Sequence, residues 1–304
     1  MSSKEKRTVP PEAVELYNQF IHGEISRREF ISGAQKFAVA GLTAGAIVTA
    51  LMPNYAEAQQ VSRTDERIRA SYVTLPSPQG NGQVKGYLVR PFSADSRSET
   101  PVKLPGIIVV HENRGLNPHT EDVARRLALA NFNVFAPDVL TSVGGYPGDD
   151  YQGGQLFSKI DNAKKFEDIV ASALWLKSRP DSTGKIGVTG FCYGGGVSNQ
   201  LAVRLGADLA AAVPFYGAAP ADADVAAIKA AILVQHGELD TRLVQAWPAY
   251  EKALKAAKVP YEAKIYKGAV HGFFNDATPE RYNEVAATEA WNSTVAWFNK
   301  YLRG

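Results

Sequence analysis

Five short apolar runs set the frame of this chain: residues 106–110 (Gly-Ile-Ile-Val-Val), 133–137, 186–188, 209–215 and 231–235. Continuous apolar runs of this length, bounded by turn residues, mark strands buried on both faces, as in a parallel sheet. Before them, residues 70–75 and 84–89 alternate apolar and polar positions around a turn-rich Ser-Pro-Gln-Gly-Asn-Gly-Gln segment, which predicts a β-hairpin. Helical patterns fall between the runs. Asn117-Pro118 opens one that reaches Ala130, with an N-cap residue and a proline in the first turn. Others cover 161–177, 193–205, 247–258 and 279–301, and residues 261–266 form a further strand. Strands alternating with helices behind an antiparallel hairpin predict the α/β class, one mostly parallel, doubly wound sheet. Residues 141–155, rich in glycine and carrying Tyr146 and Tyr151, read as a long loop at the carboxyl end of that sheet, where ligands bind in such folds.

The 304 residues divide into an N-terminal segment, 1–58, and one domain, 59–304. In the first part, Ser26-Arg27-Arg28-Glu29-Phe30-Ile31 precedes an uncharged stretch over 37–52, and Ala56-Glu57-Ala58 offers a small-residue cleavage pattern. This resembles a twin-arginine export signal and implies the export machinery as a partner and a periplasmic or exported protein. The alternative is a cytoplasmic protein that keeps the segment as a helix. The stretch is about 16 residues, short of the roughly 20 that span a bilayer, so no stable membrane span is expected. A net charge of +2 and the lack of basic runs argue against a nucleic-acid partner. Oligomeric state is left open by the sequence.

Composition matters most at cysteine, because Cys192 is the only one. It stands in Gly190-Phe191-Cys192-Tyr193-Gly194, between an apolar run and a small-residue helix: the strand–turn–helix of a nucleophile elbow, G-x-Nu-x-G. The flanking glycines suit a turn in which backbones approach closely. A thiol nucleophile needs a base, and the base an orienting carboxylate. Two later strands run into loops that carry them: 231–235 leads to Asp240, and 261–266 leads to His271. The order nucleophile, acid, histidine is that of the α/β-hydrolase triad. The five histidines show no metal-binding spacing and no thiol pair exists, so no metal is expected; the Gly190–Gly196 run fits neither dinucleotide nor P-loop patterns, so no cofactor is expected.

His111-Glu112-Asn113-Arg114-Gly115-Leu116-Asn117, Gly-Phe-Cys-Tyr-Gly-Gly, Phe215-Tyr216-Gly217, the aspartate of Gly-Glu-Leu-Asp and Val270-His271-Gly272-Phe273 together resemble the dienelactone hydrolase family of α/β-hydrolases, from about Ser71 to the C-terminus. The resemblance implies a carboxylic ester hydrolase that opens an ester or lactone through a thioacyl intermediate. It makes Cys192 the nucleophile, His271 the base, Asp240 its orienter and Glu112 the group that holds the thiol proton at rest; a salt bridge from Glu112 to Arg114 or another nearby base is the alternative. The oxyanion hole would be the backbone N–H groups of Tyr193 and Asn113. Tyr216 either lines the site or is a core aromatic. The family's basic residue shortly after the histidine is replaced here by Phe273-Phe274-Asn275-Asp276. Arg114 and Arg242 are the substitutes at hand for a substrate carboxylate, or else structural ties. Two other functions use the same residues: a peroxide-responsive thiol, without a resolving cysteine, and an inactive binding scaffold.

Overall fold

The computed structural model describes residues 9–38, 43–92 and 102–304. Its centre is an eight-stranded sheet: β1 (Ile68–Ser77), β2 (Gly82–Pro91), β3 (Leu104–Val110), β4 (Asn133–Asp138), β5 (Ser182–Phe191), β6 (Ala211–Phe215), β7 (Ala231–Gly237) and β8 (Tyr261–Tyr266). The spatial order is β1-β2-β4-β3-β5-β6-β7-β8. β1 with β2 and β2 with β4 pair antiparallel, and all the other pairs are parallel. This is the α/β-hydrolase architecture.

Each strand sends successive side chains to opposite faces. Ile107 and Val109 face a cluster with Val123 and Leu127 of α5 (Pro118–Leu129) and Trp297 and Phe298 of α10 (Glu284–Arg303). Ile108 and Val110 face the other, with Ile169 and Leu176 of α7 (Asn162–Ser178), Leu201 of α8 (Tyr193–Leu205) and Leu254 of α9 (Thr241–Ala256). Each such aliphatic side chain contributes about 1.5–3 kcal/mol of burial energy. The chain crosses from β4 on one side of β3 to β5 on the other. The crevice at that switch point is bounded by the loops after β3 and β5, which register side by side through Val110 and Gly190.

Several boundaries differ from the sequence pattern. Residues 141–155 are not one loop: a 3-10 turn at Thr141–Val143 precedes α6 (Asp150–Phe157), which Asp149 caps by accepting from the Gln152 N–H at 2.8 Å. The periodicity missed α6 because two glycines interrupt its eight residues. α9 starts six residues before the expected Trp247, so Pro248 lies inside the helix. α10 starts at Glu284, capped by Asn283, so 279–283 is a turn instead of helix.

The N-terminal segment packs on this body as helices α1 (Pro11–His22), α2 (Arg27–Ala34), α3 (Ala44–Leu51) and α4 (Tyr55–Ala58). Tyr17, Ile21, Phe30, Ile47 and Leu51 form their own buried cluster. The arginine pair opens α2, where Ser26 and Glu29 make a reciprocal capping box; both arginines are exposed and Phe30 is buried. Of the uncharged stretch, residues 39–42 lie outside the described residues, as do 1–8 of the N-terminal segment. Among the described residues, no helix is long and apolar enough to cross a membrane.

One charged knot ties the loop after β8 to α5. Asp276 accepts from Arg126 Nη2 at 2.9 Å and Gln60 Nε2 at 2.7 Å, and pairs with His119 Nδ1 at 2.9 Å. Burial raises the pKa of its carboxyl, but these partners outweigh burial and hold it at about 2, below its ordinary 3.8. A depressed carboxylate stabilises the fold above its unfolded pKa, and the contribution is lost as pH falls through the folded value; here it amounts to about 2 kcal/mol. Asp276→Asn is therefore expected to lower the urea midpoint at pH 6, with the gap to wild type narrowing between pH 4 and pH 2.

Candidate active site

The elbow is built by backbone contact. Cys192 precedes α8 with φ 53° and ψ −108°, and its N–H donates to the Phe215 carbonyl on β6 at 3.1 Å. A Cβ on Gly190 would collide with the Gly194 carbonyl, and one on Gly194 with the Val110 carbonyl at the end of β3. Glycine at both positions lets the helix start press onto two strands. The sulfur thus stands, partly exposed, at the N-terminus of α8, whose first N–H groups have no intrahelical acceptor.

His271 and Asp240 arrive from the ends of β8 and β7. Asp240 Oδ2 lies 2.5 Å from His271 Nδ1, and both side chains are about 95% buried. With Nδ1 on the carboxylate, Nε2 is left for the sulfur, and the imidazole also hydrogen-bonds Cys192. Burial disfavours the charged ring; the Cys192 and Asp240 side chains reverse this and raise the His271 pKa to about 10. Burial likewise works against the Asp240 carboxylate, but the hydrogen bond to His271 and the charges of His271, Arg242 and His236 keep its pKa below the ordinary range. Tyr216, itself at a positive φ of 36°, places its ring 4.9 Å from that of His271, nearly edge-on.

The loop after β3 is pinned by His111. Its Nε2 accepts from the Val139 N–H at 3.2 Å, and its Nδ1–H donates to the Glu112 carbonyl. Burial lowers its pKa, which suits this neutral tautomer. The Glu112 side chain is buried and makes no ion pair within 4.0 Å among the described residues; its charge acts on Tyr216, Arg281 and Tyr17. Arg114 makes no ion pair with Glu112 among the described residues; its Nη2 donates to the Ile21 carbonyl of α1 at 2.7 Å. The Asn113 side chain donates to the same carbonyl at 2.8 Å. Arg242 is exposed in the first turn of α9, beside Asp240. Cys192, His271, Asp240, Tyr216 and Glu112 therefore gather at one end of the sheet, with Arg242 at the rim and Arg114 holding a helix end.

Sequence reasoning missed Arg281. It is 4% exposed, and its Nε and Nη1 have no hydrogen-bond partner among the described residues. A Cβ on Gly272, the residue after His271, would come 2.7 Å from Arg281 Nη1, so the guanidinium lies against the histidine loop. Burial disfavours its charge, but Tyr17, Glu112, Tyr216 and Cys192 around it push its pKa up. The signal was an arginine in a short turn between apolar segments, ten residues beyond His271. His236, buried beside Asp240 and pushed down to about pKa 4 by burial, was also passed over; it was legible as the strand end before the acid.

The dienelactone hydrolase family profile matches residues 86–302. This chain belongs to the dienelactone hydrolase family. A second profile, described as YqhI-like, matches residues 1–39. Over 120 residues the chain is 52% identical to an Escherichia coli protein named "Putative hydrolase fragment YghX", covering 40% of this chain and 97% of that one. It is 30% identical over 252 residues to a Salmonella typhimurium protein named "Putative carboxymethylenebutenolidase", covering 78% and 89%. A Klebsiella pneumoniae crystal structure titled "Putative Dienelactone Hydrolase" superposes with a TM-score of 0.66 at 27% identity, covering 77% of this chain and 99% of the other. The protein is accordingly an enzyme, a hydrolase of the esterase kind, within the dienelactone hydrolase family.

The hydrogen bond between Asp240 and His271 carries a direct prediction. A carboxylate there holds a proton on the ring, so in Asp240→Asn the His271 imidazole is expected to titrate at lower pH than the wild-type value of about 10. Ring-proton NMR across pH reads this; an unshifted titration would mean that Asp240 does not hold the charge.

Proposed function

We propose that this enzyme hydrolyses small esters or lactones through a thioacyl-enzyme formed on Cys192. The single observation that carries the reading is the line of hydrogen bonds from Asp240 through His271 to Cys192, on a turn aimed by α8. Sulfur attacks the carbonyl carbon while His271 holds the thiol proton. The tetrahedral oxyanion is held by the backbone N–H groups of Tyr193 and Asn113. The carbon–oxygen bond to the leaving alkoxide breaks, and His271 passes it the proton. Water then attacks the thioester with His271 as base, releasing the acid and restoring the thiol. Glu112, buried beside Arg281 and Tyr216, holds the thiol proton at rest and yields it to His271 when substrate arrives.

Arg281 supplies the charge that the residues directly after His271 lack. A buried guanidinium with two nitrogens unpartnered, next to the reacting sulfur, suits a carboxylate on the substrate better than a structural tie. Arg114 is engaged with α1 and Arg242 is exposed at the rim, so neither offers an equivalent buried charge.

Hydrolysis of nitrophenyl acetate and of small lactones tests the chemistry. Cys192→Ala and His271→Ala are each expected to cut kcat/KM by about 10³-fold or more with the fold intact. Peroxide consumption with no Cys192-dependent esterase activity would instead favour the thiol-redox function. Arg281→Met is expected to raise KM for carboxylate-bearing esters about tenfold while sparing neutral ones; an equal loss on both would remove it from substrate binding.

A further inference from the structure

Helix α1 lies across the mouth of the site. At its start, the Val9 N–H donates to Glu280 Oε2 at 3.2 Å, on the turn that carries Arg281. In its middle, the Tyr17 ring centroid is 5.1 Å from the Arg281 guanidinium carbon, and Tyr17 is 3% exposed. At its end, the Ile21 carbonyl, left over by the helix ladder, accepts from both Asn113 Nδ2 and Arg114 Nη2. Twelve residues span about 18 Å, enough to bridge the histidine-side turn and the Glu112 loop. Beside this bridge, a groove of about 160 Å³ at the rim is lined by Val14, Glu15 and Asn18 of α1 and by Asp240, Arg242 and His271 of the body. Asn18 is buried with its Oδ1 unpartnered among the described residues.

A helix docked for packing alone would turn an apolar face to the body. α1 does bury an apolar stripe of Ala13, Val14, Tyr17 and Ile21, but Tyr17 within it also meets Arg281, and Asn18 lies in the groove beside His271. We propose that α1 is a wall of the substrate pocket, and that Tyr17 and Asn18 are specificity-determining residues that restrict the enzyme to short acyl groups. A longer acyl chain would run into α1.

This rests on the hydrolase reading, and the experiment separates the two. Full-length wild type, Tyr17→Ala and Tyr17→Phe are assayed on nitrophenyl acetate, butyrate and octanoate, and in parallel the Cys192 thiol is alkylated with iodoacetamide and with a bulky biotin-maleimide. Wild type is expected to favour the short esters and to react with the bulky reagent far more slowly than with iodoacetamide. In Tyr17→Ala, octanoate relative to acetate rises about tenfold or more, and the ratio of bulky to small alkylation rises with it. Tyr17→Phe, which keeps the ring, keeps both wild-type profiles. Partial melting of α1 in Tyr17→Ala would change both ratios in the same direction, as expected of a wall. Unchanged ratios in Tyr17→Ala, or equal access of both reagents in wild type, would overturn the wall. Loss of the hydrolase reading shows separately, as esterase activity that does not depend on Cys192, while the alkylation ratio still decides the role of α1.

Discussion

Cys192 is held at φ 53° and ψ −108°, a backbone conformation that costs an L-residue on the order of 1–3 kcal/mol. What maintains it is contact from three sides: the Phe215 carbonyl bonded to its N–H, the Gly194 backbone under Gly190, and the Val110 carbonyl against Gly194. β3, β5 and β6 all converge on that turn. Relaxing it would lower the sulfur out of reach of His271 and rotate the start of α8 away from the crevice. The pleated registers that bring these strands side by side are thus part of the chemistry as much as of the core.

The same topology gathers the remaining groups. The loop after β3 abuts the elbow because β3 and β5 are neighbours, and the loops after β7 and β8 fold back over the same end. The burial that results acts differently on each group. It keeps His111 and His236 neutral, whereas His271, bracketed by a carboxylate and a sulfur, retains its proton against that penalty. The three buried histidines behave differently because only His271 hydrogen-bonds both a carboxylate and the sulfur, whereas the carboxylates near His111 and His236 do not outweigh burial.

Much of this was legible from residue order. The apolar runs located the parallel strands, Asn117-Pro118 marked a helix start through its cap, and the spacing of Cys192, Asp240 and His271 brought three distant residues to one rim. What escaped was information carried by the third dimension alone. Arg281 lies in a turn with no periodicity, and its closeness to His271 comes from the loop doubling back over Gly272. α6 was hidden by glycines that break an apolar pattern without breaking a helix held by the Asp149 cap. Nothing in the pattern of α1 told that Tyr17 would meet Arg281, because the partner is 264 positions away along the chain.

The capping box of α2 bears on the life of the chain before it becomes an enzyme. Ser26, Arg27, Arg28 and Phe30 are the positions an export receptor of the twin-arginine kind would read, and in the folded molecule Ser26 closes a helix end while Phe30 is 2% exposed inside the N-terminal cluster. A receptor cannot grip an aromatic ring that is already enclosed. Phe30 serves the folded molecule as a structural component, so recognition of this segment by any partner requires α2 to come away from the N-terminal cluster first.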